Sequence, residues 1–220
     1  ELDVQWLAET YCSREMSSDF LKTRLACLQA ELLAKLPPQP GALAAEYIGY
    51  ALELLARPAT PPAFQLERDA PLADLAMGFL AAVLDGQRSQ AEGLILAALD
   101  GGVAVTDLHD HVVVKVQAEL GRLWQIGETH VAGEHFGSRL VEDVLAQLRA
   151  RMTRQPANGH SVVLASVSGN LHDIGLRLVA DRLEMQGWRT IFLGANMPVE
   201  ELASGVAEFA PDFVALSVAQ

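Results

Sequence analysis

Cysteine is nearly absent from this 220-residue chain, basic side chains are few, and long apolar runs do not occur. Each shortage removes a class of protein. Two thiols, Cys12 and Cys27, with no metal-ligand spacing around them, make no disulfide framework. Both fall in a helix-like region and read as reduced core thiols. The 16 Lys and Arg against 28 Asp and Glu give a formal net charge of -12, without any basic stripe. These residues therefore offer no direct nucleic-acid surface. Half of the residues are apolar, yet no run approaches the ~20 needed to span a bilayer, so a soluble chain with no membrane partner is expected. The chain opens on Glu1 with no basic segment ahead of an apolar one, which reads as a piece lacking a secretory signal, cytoplasmic by default.

What is present is helical periodicity followed by strand and helix alternation. Ser17 and Ser18 are N-cap candidates for an apolar pattern through Phe20, Leu21, Leu25, Leu28, Leu32 and Leu36, ended by Pro37 and Pro38. A second helix is expected from about Ala42 to Ala56, then a linker through Pro61 and Pro62 to about Arg68. From Pro71 to Met152 the spacing predicts four helices, with breaks near Gly86, Gly101-Gly102 and Gly127-Glu128, joined by short turns as in a bundle. After a polar stretch the period changes. Strands are expected at residues 162–167, 189–193 and 212–218, with helices at 175–186 and 199–209 between them. That alternation predicts a parallel, doubly wound sheet. The domains read as an N-terminal helical module with its linker (1–68), a four-helix cap (69–153) and an α/β domain (160–220) that is incomplete at its carboxyl end.

In such a sheet, ligands bind outside the carboxyl ends of the strands, and His172 lies in the loop after the first strand. A neutral imidazole there ligates a transition metal through one nitrogen while the other donates to an acceptor, for which Asn170 and Asp173 are candidates. Gly169 and Gly175 let backbone approach a bulky ligand. Taken alone, a histidine at this spacing would be read as capping the next helix. About forty residues upstream, Trp124 is followed after nine intervening residues by Glu134-His135. The other histidines are cooler. His109 and His111 point to different helix faces and make an improbable zinc pair, His130 and His160 read as exposed, and Trp188 reads as core.

Residues 162–217, with their Asn170-Leu171-His172-Asp173-Ile174-Gly175 loop, resemble the Rossmann-like (flavodoxin-like) cobalamin-binding domain of methionine synthase, mutases and corrinoid proteins. The resemblance implies cobalamin with its lower base displaced and His172 on cobalt, the nucleotide tail entering beside Ser217. It also implies cofactor contacts along the loop from Ser168 to Gly175, and a tail lined by the turn Gly194-Ala195-Asn196 ahead of Pro198. Two departures are visible. The family's acidic residue is Asn170 here, which carries no charge and so implies a less electron-rich ligand and a cobalt bond more easily lost. The downstream Gly-Gly pair is missing because the sequence ends first.

Gly121-Arg122-Leu123-Trp124, with Glu134-His135 beyond it, resembles the cap domain of light-sensing adenosylcobalamin proteins such as the carotenoid-gene repressors of bacteria. The resemblance implies that Trp124 packs over the upper face, that Val131 contacts the cofactor, that Glu134 bonds the adenosyl group, and that His135 takes the upper cobalt position after light. The expected function is a non-enzymatic photosensory module, adenosylcobalamin lying between cap and sheet domain. Its output is a change of conformation or of homo-oligomeric assembly, passed to an output domain or partner outside these residues. Some members of that family also hold a bilin, and the helices at 3–57 are where the resemblance would place such a second chromophore. The rival readings are a corrinoid methyl carrier of a methyltransferase system and a scaffold that has lost cobalamin.

Overall fold

The computed structural model describes residues 2–57 and 63–218, with Leu2 and Asp3 described by backbone alone. The expected Pro61-Pro62 linker lies outside the described residues. The chain divides into two compact units, residues 1–65 with 118–135, and residues 66–117 with 136–220.

Three helices open the chain: α1 (Leu2–Cys12), α2 (Ser18–Lys35) and α3 (Pro38–Leu55). Ser17 caps α2 as its spacing suggests, its hydroxyl accepting from the Asp19 N–H at 3.1 Å. The prolines behave differently from expectation. Pro38 does not break the chain into a loop but occupies the first position of α3, where a missing N–H costs nothing, so the helix begins four residues earlier than expected. Ala8, Leu21 and Leu55 form the small core of these helices, with Val4 and Leu25 against it. Cys12 and Cys27 are free and exposed, which corrects their reading as core thiols.

The helices α4 (Ala73–Leu84), α5 (Arg88–Asp100), α7 (Val114–Gln125) and α8 (Val131–Arg151) follow, broken where the glycines predict. A single turn, α6 (Val105–Asp107), and a π-helical stretch, Leu108–Val113, lead into α7. The π stretch was not legible in the spacing. It turns Leu108, His109, Val112 and Val113 inward together. Burial lowers His109 to about 4, so its imidazole is a neutral core group. His111 is half-buried, while His130 and His160 are exposed.

The sheet is parallel, with β1 (Ser161–Val167) between β2 (Arg189–Met197) and β3 (Phe213–Ser217). Right-handed crossovers through α9 (Ile174–Met185) and α10 (Val199–Phe209) require the two helices to lie on opposite faces. As the central strand, β1 buries five consecutive residues, Val162 to Ser166. Val162 and Leu164 pack with Leu176 and Ala180 of α9, and Leu183, Trp188, Phe192 and Ala215 close the cluster.

An ionic cluster joins α8 to α9. Arg149 bonds Glu184 at 2.6 Å and lies 3.6 Å from Asp181, while Arg154 bonds Glu184 at 3.0 Å. Asp181 is fully buried and both carboxyl oxygens lack a hydrogen-bond donor. Burial pushes it up to about 6 from the ordinary 3.8, against the pull of Arg149 and Arg177. Between those values the folded carboxyl holds a proton that the unfolded one has lost. Stability linked to this group is therefore gained as pH falls through the window and lost as pH rises through it. Asp181→Asn leaves Arg149 its Glu184 partner. Its melting temperature is expected to exceed the parent's by roughly 2–4 °C at neutral pH. The gap should close as pH falls below about 6. A variant less stable than the parent at neutral pH, with the deficit disappearing below about 6, would show that the ionised Asp181 is net favourable beside Arg149.

Candidate functional site at the carboxyl edge of the sheet

The loop after β1 is built by a web of hydrogen bonds centred on Asn170, which is buried. Gly169 turns the chain with φ +85°, and its N–H donates to Asn196 Oδ1 at 2.8 Å. The Asn170 backbone donates to Val167 O and accepts from the Asn196 N–H, at 3.0 and 2.9 Å. Its side chain spans two elements. Oδ1 accepts from the His172 backbone N–H at 2.9 Å, and Nδ2 donates to the carbonyl of Ser217, at the end of β3, at 3.2 Å. The Ser166 hydroxyl, at the buried end of β1, donates to the His172 carbonyl at 3.3 Å. The loop, β2 and β3 are thereby tied at one edge.

This geometry corrects the expectation that Asn170 or Asp173 accepts from the His172 ring. The Asn170 acceptor is engaged with the backbone of His172, and Asp173 forms the N-cap of α9 without a side-chain capping bond. Among the described residues the His172 imidazole, on an exposed residue, has no hydrogen-bond partner. Leu171 beside it is 72 % exposed, and a methyl group added at Gly169 or Gly175 would meet open space. An outward imidazole, an outward leucine and two unobstructed glycines fit a large planar metal complex approached from the edge. His172 would hold the metal as a neutral nitrogen donor.

The segment Gly194-Ala195-Asn196 is also reassigned. Read as a turn, it forms the last part of β2, because the strand bulges against β1. Leu164 pairs with Phe192, then Ala165 with Gly194 and Val167 with Met197. Gly194 at φ +82° and Asn196 at φ +55° absorb the extra residues. A methyl group on Gly194 would lie 3.5 Å from Asp173 Oδ2. Pro198 is the exposed N-cap residue of α10, Ser168 lies in the exposed turn, and Ile174 is the half-buried first residue of α9.

The second candidate set belongs to the other compact unit. Glu134 and His135 are paired through Oε2 and Nδ1 at 2.8 Å, with the histidine side chain 74 % exposed. They lie in the first turns of α8, which starts at the exposed Val131 and is capped by His130, whose Nδ1 accepts from the Gly133 N–H at 2.9 Å. Trp124, near the end of α7, is half-buried and stacks on Trp6 of α1, ring centroids 5.9 Å apart. The Arg14 guanidinium lies 4.3 Å from the centre of the same ring. Arg122 is bonded to the buried Glu119, which also accepts from the Gln65 N–H.

Ser166, Trp6 and Arg14 were missed by sequence reasoning. Ser166 had a signal, a hydroxyl within an apolar strand run. Trp6 and Arg14 had none, since their partner lies 110 or more positions away.

Residues 160–220 match a family model described as a B12 binding domain, and residues 75–149 match a second model of the same description. The HTH-type transcriptional repressor CarA of Myxococcus xanthus is 38% identical over 40% of this chain and 30% of its own length. CarH of the same organism is 35% identical over 49% of this chain and 36% of its own. The chain thus spans about a third of each repressor. Among solved structures, the monomethylamine corrinoid protein of Methanosarcina barkeri shares the fold, with a TM-score of 0.56 at 18% identity over 66% of this chain and 69% of that one. With B12-binding matches over both its helical bundle and its sheet, the chain finds its support in a cobalamin-binding family.

Proposed function

We propose that this chain is a light-sensing, non-enzymatic module that binds adenosylcobalamin, with His172 as the lower cobalt ligand. The observation that carries the light-sensing part is the pairing of the His172 loop with Trp124 and Glu134-His135, set beside the likeness to two transcriptional repressors. When bound, this cofactor supplies a cobalt–carbon bond that visible light can break. The chain's own residues do the rest. The Asn170 web holds the His172 backbone still, so on binding only the side-chain torsions of the imidazole remain to be ordered. Trp124 would pack against the adenosyl group with the part of its ring that Trp6 and Arg14 leave open. Glu134 would accept hydrogen bonds from it, and His135, held at its Nδ1 by Glu134, would offer Nε2 as a further nitrogen donor to cobalt. Loss of contacts made in one state alone shifts a conformational or homo-oligomeric equilibrium, which a partner or output domain reads.

Reconstitution with adenosylcobalamin in the dark, followed by green light, tests this directly. The parent should retain colour after desalting and change its absorption spectrum on illumination. His172→Ala should retain at least about tenfold less cofactor, in line with the loss of a metal ligand. His135→Ala should bind in the dark but give a different spectrum after light. Retention without a light-driven change beyond that of free cofactor, together with a methylated corrinoid in the mass spectrum, would replace the sensor by a methyl carrier.

Asn170→Asp separates a strut from an electronic tuning group. The carboxylate would keep the His172 N–H but face the Ser217 carbonyl with no proton to donate, inside a buried loop. A loss of about 1–3 kcal/mol is expected. It should be read as a lower melting temperature and faster loss of cobalamin. An Asp variant that melts like the parent and holds cobalamin more tightly would show that ring tuning outweighs the strut.

A further inference from the structure

The end of α7 is gripped from one side by α1 and the turn that follows it. Trp6 stacks on Trp124 with 29° between ring planes, and the Arg14 guanidinium lies over the same indole. Arg14 also donates to the carbonyls of Thr10 at 2.8 Å and Trp124 at 3.2 Å. One cation thus meets the carboxyl ends of two helices, where the dipoles favour positive charge. The Ser13 hydroxyl donates to the Gln125 carbonyl at 2.6 Å, and the buried Gln125 donates back to the Trp6 carbonyl at 3.5 Å. Gly127 closes the grip. It has φ +80°, and a methyl group there would lie 3.1 Å from the Ser13 carbonyl.

We propose that Trp6 and Arg14 are positioning residues for Trp124, coupling helix α1 to whatever group Trp124 covers. The first half stands on the contacts alone; the second rests on the corrinoid reading above. An indole held by a stacked ring and a cation cannot change its tilt without disturbing both. Displacement of Trp124 then loosens Arg14, which frees the Thr10 carbonyl it bonds at the end of α1. Trp6 and Arg14 lie outside both segments that match B12-binding models.

Two measurements test the two halves separately. In the cofactor-free chain, stacked indoles give an exciton couplet in far-ultraviolet circular dichroism. It should be present in the parent, absent in Trp6→Phe, weakened in Arg14→Gln and kept in Arg14→Lys. The conservative pair shows that loss is not mere unfolding, and thermal melts confirm it. For the coupling, tryptic cleavage after Arg14 is followed by mass spectrometry on chain loaded with adenosylcobalamin, in the dark and after green light. The dark complex should be cut about fivefold more slowly than the illuminated one, the factor that loss of a ring–cation contact gives. In Trp6→Phe the two rates should converge.

A parent without the couplet overturns the grip itself. A parent with the couplet, whose cleavage rate is unchanged by light while its spectrum changes, overturns the coupling and leaves the sensor reading standing. A chain that retains no cobalamin removes the corrinoid reading and the coupling together, while the couplet still decides the positioning role.

Discussion

The carboxyl edge of the sheet depends on one buried amide. Asn170 uses its oxygen on the His172 N–H and its nitrogen on the Ser217 carbonyl, so a single side chain fixes both the loop after β1 and the end of β3. An amide is suited to this because it donates and accepts at once, whereas a carboxylate only accepts. The Asn196 side chain and backbone then clamp the same loop from β2. With the backbone so restrained, the exposed imidazole and Leu171 are carried at a fixed place on the edge. The site is therefore preorganised through backbone hydrogen bonds rather than through bonds to the ligand's own ring.

That arrangement changes what the departure at position 170 means. Viewed as a tuning residue, an uncharged side chain weakens the metal ligand. In the folded chain the same residue is structural, and its neutrality is what allows the bond to Ser217. The electronic state of the imidazole is left to solvent and to whatever it binds.

The alternation of strands and helices was legible because β1 is an unbroken apolar run, the mark of a strand covered on both faces. The bundle breaks were legible because Gly86, Gly102 and Gly127 adopt positive φ, which a side chain resists. The place of His172, exposed in the loop between β1 and α9, was legible from the strand that precedes it. What stayed hidden is of two kinds. The bulge that carries Gly194 and Asn196 into β2, and the π stretch around His109, depend on backbone register, which side-chain periodicity does not encode. Trp6, Arg14 and the Arg149 cluster depend on partners far along the chain, and single residues carry no mark of distant partners. Pro38 illustrates a third difficulty. The same residue that ends one helix can begin the next, and only the cap geometry decides.

Stability and responsiveness are distributed unevenly over these elements. The sheet buries five of the seven residues of its central strand and ties the backbone of its loop with hydrogen bonds, features that favour late local opening. The end of α7 is held differently, by a half-exposed indole pair and an arginine reachable by solvent. Contacts of that kind are worth ~0.5–1 kcal/mol each at exposed positions, so they can be exchanged by a modest change at Trp124. A ligand shifts an equilibrium by no more than its differential contacts, which makes weak, numerous contacts the suitable material for a reporter. The edge that carries His172 and the grip on Trp124 thus differ in kind: the first is held by buried backbone hydrogen bonds, the second by exposed contacts that a small change at Trp124 can exchange.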